Sequence, residues 1–190
     1  QARGKLRGIG LASYLEASGA GNAPKDQVRG RLGADGWLEV IGVTGASGQG
    51  HETSFSQIIE RELGLPARWV RYQAGTLESK QLIGNGTGGS RTLYGAGSAI
   101  LSLAQRLKEQ VQALRAELGQ SPTVDDWSQW LAGLTPAQLE RLQAMGEASS
   151  GSTFPNGCHV AEIEIDPATG ITDVVQYWAV DDLGKVISPD

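Results

Sequence analysis

Two glycine-rich runs constrain the fold of this chain most, because each lies between a strand-like run and a helix-like run. The first, at residues 45–53, reads GASGQGHET, and the second, at residues 84–91, reads GNGTGGSR. Glycine can adopt a positive φ and lets the main chain approach a ligand closely. The start of a helix presents N–H groups without intrahelical partners to an anion. Two such turns in a chain of 190 residues predict a large polar ligand that carries phosphate.

The composition is that of a globular chain and argues against two kinds of partner. Hydrophobic residues make up 39% of the chain and charged residues 19%, as in a folded domain. The net charge of −5, with no basic stripe along the sequence, argues against a nucleic-acid surface. The sequence contains no run of about 18 apolar residues, so we expect no membrane span.

Thiols and imidazoles are too few to indicate a metal site held by side chains. Cys158 is the only cysteine, which excludes an intrachain disulfide and a thiolate zinc site. The two histidines, His51 and His159, do not by themselves form a ligand set.

The first residues lack the apolar core of a signal peptide. We therefore expect a cytoplasmic location, with a periplasmic one as the alternative, because a partner subunit could carry an export signal.

Alternation of apolar and polar residues predicts several strands. Residues 9–16 and 36–43 show the period of two that is typical of a half-buried strand, and residues 68–73 are predicted to form a further short strand. Residues 159–165 alternate clearly, and a turn that contains proline and glycine leads into residues 174–180. This last pair predicts a β-hairpin.

Apolar residues at helical spacing predict two main helices. One covers residues 55–63, where Thr53 or Ser54 can cap the start. The other is longer, with an apolar stripe over residues 100–118. Residues 121–152 contain two Ser-Pro or Thr-Pro start signals, which predict short helical pieces followed by a connector.

Neither glycine run has all the residues that a common nucleotide-binding motif requires in and around it. Residues 45–50 nearly match the phosphate loop GxxxxGK[ST], but His51 and Glu52 replace the lysine and the hydroxyl residue, so nucleotide hydrolysis is not expected. Residues 84–89 match GxGxxG, but the acidic residue about 20 positions later, Glu109, falls within a predicted helix. From the residues alone, a nucleotide- or anion-binding module and purely structural turns both remain open.

Four segments occur in an order that resembles one enzyme family. The glycine runs include GQGHET at residues 48–53 and GTGGSR at residues 86–91, and residues 7–16 and 157–187 flank them. These segments are similar to the large, molybdopterin-binding subunit of the molybdenum hydroxylases. That family includes xanthine dehydrogenase, aldehyde oxidase and carbon monoxide dehydrogenase. The similarity covers most of the chain in the family's order, which a single glycine motif could not imitate.

The resemblance implies which residues bind the cofactor. The predicted cofactor-binding residues are Gly48, Gln49, Gly50, His51, Thr53, Thr87, Gly89, Ser90 and Arg91. Residues 48–51 would lie along the pterin and its phosphate, with Gln49 near the metal end. Residues of the second run would hold the pyrophosphate and the nucleotide, and Arg91 would add a bidentate cation. No residue of this chain is assigned as a catalytic base or as a metal ligand.

The resemblance also implies an activity and its partners. The reaction would be hydroxylation of an aldehyde or N-heterocycle carbon, with oxygen from water. The expected cofactor is molybdopterin cytosine dinucleotide with molybdenum, and electrons would leave through iron–sulfur and FAD groups on partner subunits or domains. The family's catalytic glutamate belongs to a Gly-x-Gly-Glu-type motif beyond the last residue of this chain. We therefore expect the 190 residues alone to be an inactive fragment.

The expected fold class is α+β, with a two-layer mixed sheet and helices, as a fragment of the molybdenum cofactor-binding domain. Residues 1–120 would form a cofactor-binding lobe with both glycine runs. Residues 121–152 would be a helical insert or connector. Residues 153–190 would form a β-hairpin that belongs to the same lobe or to a neighbouring one.

Overall fold

A computed structural model of the chain describes residues 4–19 and 21–189. Their contacts separate into two units, each with its own sheet. Residues 4–18 and 153–186 form the three-stranded unit, and the described residues from 19 to 152 with 187–189 form the four-stranded unit.

Three strands begin the chain, helices and strands follow in its middle, and strands dominate its end. In chain order the elements are β1 (Leu6–Leu15), β2 (Asp26–Leu32), β3 (Leu38–Gly42), α1 (His51–Leu63), β4 (Val70–Ala74), α2 (Thr92–Glu117), α3 (Trp127–Ala132), α4 (Pro136–Leu139), β5 (Gln143–Ala148), β6 (Asn156–Ile165) and β7 (Thr172–Asp182). Two short 3-10 helices, Ala67–Trp69 and Glu78–Gln81, flank β4.

The three-stranded unit is an antiparallel sheet in the order β1-β6-β7. Leu6 lies opposite Ile165, and the pairing of β1 with β6 runs the full length of both strands. The turn between β6 and β7 closes through Gly170, which has a φ of 74° and donates its N–H to Asp166 O at 2.7 Å. The predicted hairpin is therefore confirmed. β1, which the sequence groups with the glycine runs, is hydrogen-bonded to this hairpin.

The four-stranded unit packs α1 and α2 against a mixed sheet in the order β4-β3-β2-β5. β3 and β4 are parallel and are connected through α1, while the other neighbouring pairs are antiparallel. Both layers contribute apolar side chains to one core. Among the fully buried ones are Leu32, Leu38, Phe55, Ile59, Leu103 and Leu107. The predicted α+β fold with a mixed sheet and helices is confirmed.

α2 is an amphipathic helix of 26 residues that lies against β2 and β5. Its buried stripe includes the predicted residues Ile100, Leu103, Leu107, Val111 and Leu114. A Cβ on Gly30 would lie 2.7 Å from Leu103 Cδ2, and one on Gly146 would collide with the main chain of Ala99. The two strands therefore need glycine where α2 approaches them most closely. No helix in the described part of the chain, α2 included, is long and apolar enough to cross a membrane.

Two strands of the four-stranded unit are missed or misread by sequence periodicity. β2 is not predicted, because Asp26 and Gly30 hold two of its four core-facing positions and only Val28 and Leu32 remain as buried apolar side chains. The spacing of apolar side chains over residues 139–145 predicts a continued helix, but Met145 pairs with Arg29 in the sheet. Pairing with β2 overrides the local helical spacing, since strand formation depends on the neighbouring strand more than on propensity.

Candidate functional site

The first glycine run turns the chain from the end of β3 into α1. Gly48 and Gly50 have φ values of 98° and 71°, which side chains with a Cβ rarely adopt. A Cβ on either glycine would meet nothing within 4 Å, so conformation rather than crowding requires glycine here. α1 begins at His51 with no side-chain cap. The expectation that Thr53 or Ser54 caps this helix is wrong, and the N–H groups of its first turn remain open to a ligand.

Three predicted ligand-binding side chains lie in or beside this turn. Gln49 is exposed, and its Oε1 accepts a hydrogen bond from the Ser47 main-chain N–H at 2.5 Å. His51 is buried and stacks on Phe55, with ring centroids 5.5 Å apart. Its Nδ1 is buried without a hydrogen-bond partner among the described residues, and a ligand that supplied one would stabilise it. Thr53 is exposed in the first turn of α1.

The second glycine run leads into α2 through a left-handed turn. Gly89 has a φ of 60° and Ser90 one of 51°, which makes Ser90 the one non-glycine residue with positive φ in the described part. Arg91 then lies in the right-handed region and precedes α2, whose start has no side-chain cap. Successive residues of opposite hand turn their N–H groups toward a common point, which is a recurring anion-binding arrangement. Gly89 has open space where a Cβ would lie.

Two hydrogen bonds place the glycine runs side by side. The Thr87 hydroxyl donates to Gly45 O at 2.7 Å, and the buried Thr44 hydroxyl donates to Asn85 O, also at 2.7 Å. Both runs follow the carboxyl ends of the parallel strands β3 and β4, where open sheets of this kind bind their ligands. The structure thus brings residues 48–53 and 87–91 of the predicted set to one edge of the four-stranded unit.

A buried tyrosine supports the same junction. The Tyr72 hydroxyl, from β4, donates to Thr44 O at 2.8 Å. Burial, with smaller contributions from the charges of Asp26 and Glu52, raises the pKa of Tyr72 to about 12. The phenol therefore stays protonated, and remains a hydrogen-bond donor, throughout the neutral pH range.

Arg91 is the predicted site residue whose surroundings differ most from the expectation. It is only 4% exposed, and its Nη2 lies 2.7 Å from Asp26 Oδ2 in a buried ion pair. Its Nε donates to Gly19 O at 3.2 Å. Nη1 is buried and has no hydrogen-bond partner among the residues that the structure describes. The guanidinium is thus largely engaged within the protein, and its contact with a ligand stays a prediction.

The residues that support the glycine runs escaped sequence analysis. Asp26 accepts the Asn85 N–H at 2.9 Å, and Asn85 Oδ1 accepts the Ala23 N–H at 2.8 Å. Asp26 opens a strand that periodicity does not detect, and its partners lie about 60 positions further along the chain. A lone aspartate and a lone asparagine carry no local signal for such a contact, so only the fold could reveal it.

Comparison with known proteins gives a family and several relatives. The family model of the molybdopterin cofactor-binding domain matches residues 1–190. The carbon monoxide dehydrogenase large chain of Hydrogenophaga pseudoflava is 31% identical over 216 residues, which cover 97% of this chain and 27% of that one. The nicotine 6-hydroxylase large subunit of Paenarthrobacter nicotinovorans is 27% identical, with 98% and 27% covered.

A solved structure agrees with these relatives. Quinoline 2-oxidoreductase from Pseudomonas putida 86 matches this fold with a TM-score of 0.78 and 29% identity, over 99% of this chain and 28% of that one. The chain therefore spans only about a quarter of the length of the proteins that it matches.

Proposed function

Because the chain belongs to the molybdopterin cofactor-binding domain family, we propose that its two glycine runs together hold one molybdenum cofactor. Residues 45–53 lie along the pterin and its phosphate, and residues 84–91 lie along the pyrophosphate and the nucleotide. One observation supports a single ligand shared by both runs most strongly. The hydrogen bond from Thr87 to Gly45 O, at 2.7 Å, brings two uncapped helix starts to the same edge of the sheet.

The groups at this edge suit an anionic, phosphorylated ligand. Main-chain N–H groups at the starts of α1 and α2 provide donors without adding charge. Positive φ at Gly48, Gly50 and Gly89 shapes the turns, and the open space beside these glycines leaves room for close approach of a ligand. Gln49 adds a carboxamide that can donate and accept at once, which suits the pterin or an oxygen near the metal.

We extend the proposal to the whole protein, of which this domain is the cofactor-binding part. The protein hydroxylates an aldehyde or an N-heterocycle carbon and passes electrons to iron–sulfur and FAD groups on partner subunits. The names of two relatives, nicotine 6-hydroxylase and quinoline 2-oxidoreductase, support the heterocycle. The proposed cofactor is the cytosine dinucleotide form. When bound, it supplies the two-electron redox chemistry. The residues of this chain bind and orient it, and none is assigned as the base.

Cofactor extraction from the purified whole protein tests the proposal. We expect molybdenum by metal analysis, a fluorescent oxidised pterin, and a cytidine nucleotide after acid hydrolysis. Release of ATP or NAD in place of molybdenum and pterin would overturn the proposal and favour a nucleotide-binding module. Release of no small molecule from protein expressed with ample molybdate would instead favour structural turns.

A further inference from the structure

We infer that Asp26 is a positioning residue for the second glycine run. Its buried carboxylate holds the Arg91 side chain and the Asn85 main chain, and thereby fixes where residues 84–91 meet the first glycine run. The consequence for cofactor binding rests on the proposed function. We call the contacts of Asp26 with Arg91 and Asn85 the clamp. The geometry of the clamp does not rest on the proposed function, because its contacts all lie within the four-stranded unit.

Both oxygens of the carboxylate are engaged. Asp26 is the first residue of β2 and is 2% exposed. Its Oδ2 lies 2.7 Å from Arg91 Nη2, and its Oδ1 accepts the Asn85 N–H at 2.9 Å. A buried ion pair is strongly destabilised when one partner is removed, because the other charge is left uncompensated. The turn into α2 therefore depends on the charge at Asp26.

The clamp continues from Asp26 to the first glycine run. Asn85, held at its N–H by Asp26, accepts the Thr44 hydroxyl at its carbonyl oxygen, 2.7 Å away. Thr44 directly precedes the first glycine run, and the Thr87 hydroxyl donates to the carbonyl oxygen of Gly45 within that run. One carboxylate at the start of β2 is thus connected by two hydrogen bonds to the junction of both runs.

Glycine at position 95 leaves the space that the ion pair fills. Gly95 lies inside α2, where glycine is less favourable than alanine. A Cβ at this position would lie 2.6 Å from Asp26 Oδ2 and 2.8 Å from Arg91 Nη2. These distances are too short for a real contact, so an alanine would displace the carboxylate, the guanidinium or both. Glycine is unfavourable in a helix, and its presence at position 95 is explained by the space that the Asp26–Arg91 ion pair needs. This supports a structural role for the ion pair.

The clamp changes what Arg91 can offer to a ligand. Nη2 and Nε are bound to Asp26 and to Gly19 O. Nη1 is the guanidinium nitrogen with no hydrogen-bond partner in the described part of the chain. Arg91 therefore acts mainly by holding the turn in shape, and the main-chain N–H groups of residues 86–91 do most of the phosphate binding.

Two glycine substitutions in α2 test the clamp in the whole protein. A Cβ at Gly95 would press on the buried ion pair, whereas a Cβ at Gly97 would meet apolar side chains, the nearest atom being Leu93 Cδ1 at 3.1 Å. Both changes improve helix propensity equally. We expect Gly95→Ala to accelerate amide hydrogen exchange over residues 84–91 about tenfold, and to accelerate molybdenum loss on dilution by a similar factor. Gly97→Ala should change neither quantity.

Asp26→Asn provides a second test, because it keeps the shape and removes the charge. We expect the same faster exchange, and Asp26→Asn combined with Arg91→Gln should be no worse than Asp26→Asn alone, since the two side chains act as one unit. Leu131→Ala, at a fully buried residue of α3, is the control for general loss of stability. If Asp26→Asn does not fold, Gly95→Ala decides by itself.

Amide hydrogen exchange measured in cofactor-free protein tests the clamp separately from the proposed function. Unchanged exchange over residues 84–91 in Gly95→Ala and in a folded Asp26→Asn would overturn the clamp. Equal acceleration in Leu131→Ala would overturn it as well, because the effect would then be general. If wild-type protein holds no molybdenum but Gly95→Ala still loosens the turn, the proposed function fails and the clamp stands.

Discussion

Gln49 is the side chain of the first glycine run that is best prepared to meet a ligand. Its Oε1 is held by the Ser47 N–H at 2.5 Å, which orients an exposed carboxamide. We predict that Gln49→Ala lowers the molybdenum content or the turnover of the whole protein about tenfold, through loss of one hydrogen bond to a charged ligand. Metal analysis and steady-state assays measure both. Gln105→Ala, on the exposed face of α2, is the control, and wild-type values in Gln49→Ala would contradict the role.

Tyr72 makes the stability of the four-stranded unit depend on pH in the alkaline range. Its pKa is raised from the ordinary value near 10 to about 12 in the folded state. The folded protein therefore keeps a proton that the unfolded chain loses, so the stabilisation is complete below pH 10 and is lost as the pH rises toward 12. We predict that the free energy of unfolding falls by about 2–3 kcal/mol over this interval because of Tyr72.

Comparison of wild type with Tyr72→Phe isolates this contribution in urea titrations at several pH values. Phenylalanine cannot ionise, so its curve should be flatter above pH 10, although loss of the bond to Thr44 O costs about 1 kcal/mol at neutral pH. The pKa of Tyr14 is also raised, by its hydrogen bond to Asp181, and this residue is present in both proteins. Parallel curves for the two proteins would rule out the proposed contribution of Tyr72.

α3 is anchored in the core of the four-stranded unit. Trp127 is 6% exposed and donates its indole N–H to Gly64 O, the residue that ends α1, at 2.9 Å. Leu131 and Leu142 are fully buried. We predict that Trp127→Ala lowers the free energy of unfolding by about 3–5 kcal/mol, through a cavity and a lost hydrogen bond. Urea titration followed by circular dichroism measures it.

Ser128→Ala is the control for this prediction, because Ser128 is exposed on the same helix. A loss below about 1 kcal/mol in Trp127→Ala would show that α3 is only loosely attached. Residues 121–142 would then behave as a removable insert instead of a part of the core.

Local signals in the sequence predict some elements and not others. α1, α2, β3 and the hairpin carry clear periodicity or turn residues, and each is present near its expected position. β2 and β5 depend on pairing with other strands, because Asp26 and Gly30 take core-facing positions of β2 and residues 139–145 have helical spacing. The structure therefore contains a four-stranded sheet where the sequence alone indicates isolated strands.

The candidate site divides in the same way. Glycine patterns indicate both turns, and the resemblance to a family assigns residues to them. Their contact through Thr87, and the clamp at Asp26, join residues about 40 to 65 positions apart. No local pattern of glycine or charge encodes such distances, which arise only when β2, β3 and β4 assemble.

The sheet of the three-stranded unit exposes several large apolar side chains. On one face Leu11, Val160 and Trp178 lie in register across all three strands, and Ile9, Leu11 and Val180 are 70%, 70% and 75% exposed. Exposed apolar patches and open strand edges promote association. We predict that the isolated 190-residue chain self-associates and that Leu11→Lys reduces this. Light scattering measures it, with Gln105→Lys as a control for added charge. Monomeric wild type at high concentration would contradict the prediction.

The same isolated chain should not catalyse the reaction of the whole protein. It spans about a quarter of its relatives' length, and the proposed function assigns none of its residues as the catalytic base. We predict little bound molybdenum and no hydroxylation by residues 1–190, measured by metal analysis and by product formation with aldehyde and heterocycle substrates. Hydroxylation above background by this chain would show that it contains a complete site.

The pair of hydrogen bonds between Thr44, Asn85, Thr87 and Gly45 has a consequence for how tightly a long ligand is retained. Under the proposed function, a dinucleotide is bound at both of its ends by two glycine runs that are hydrogen-bonded to each other. This arrangement is comparable to a bidentate chelate. When one end lets go, the tether to the other keeps it at high local concentration, and rebinding outpaces escape. Retention of the ligand then depends on the distance between the two glycine runs as much as on the affinity of either run.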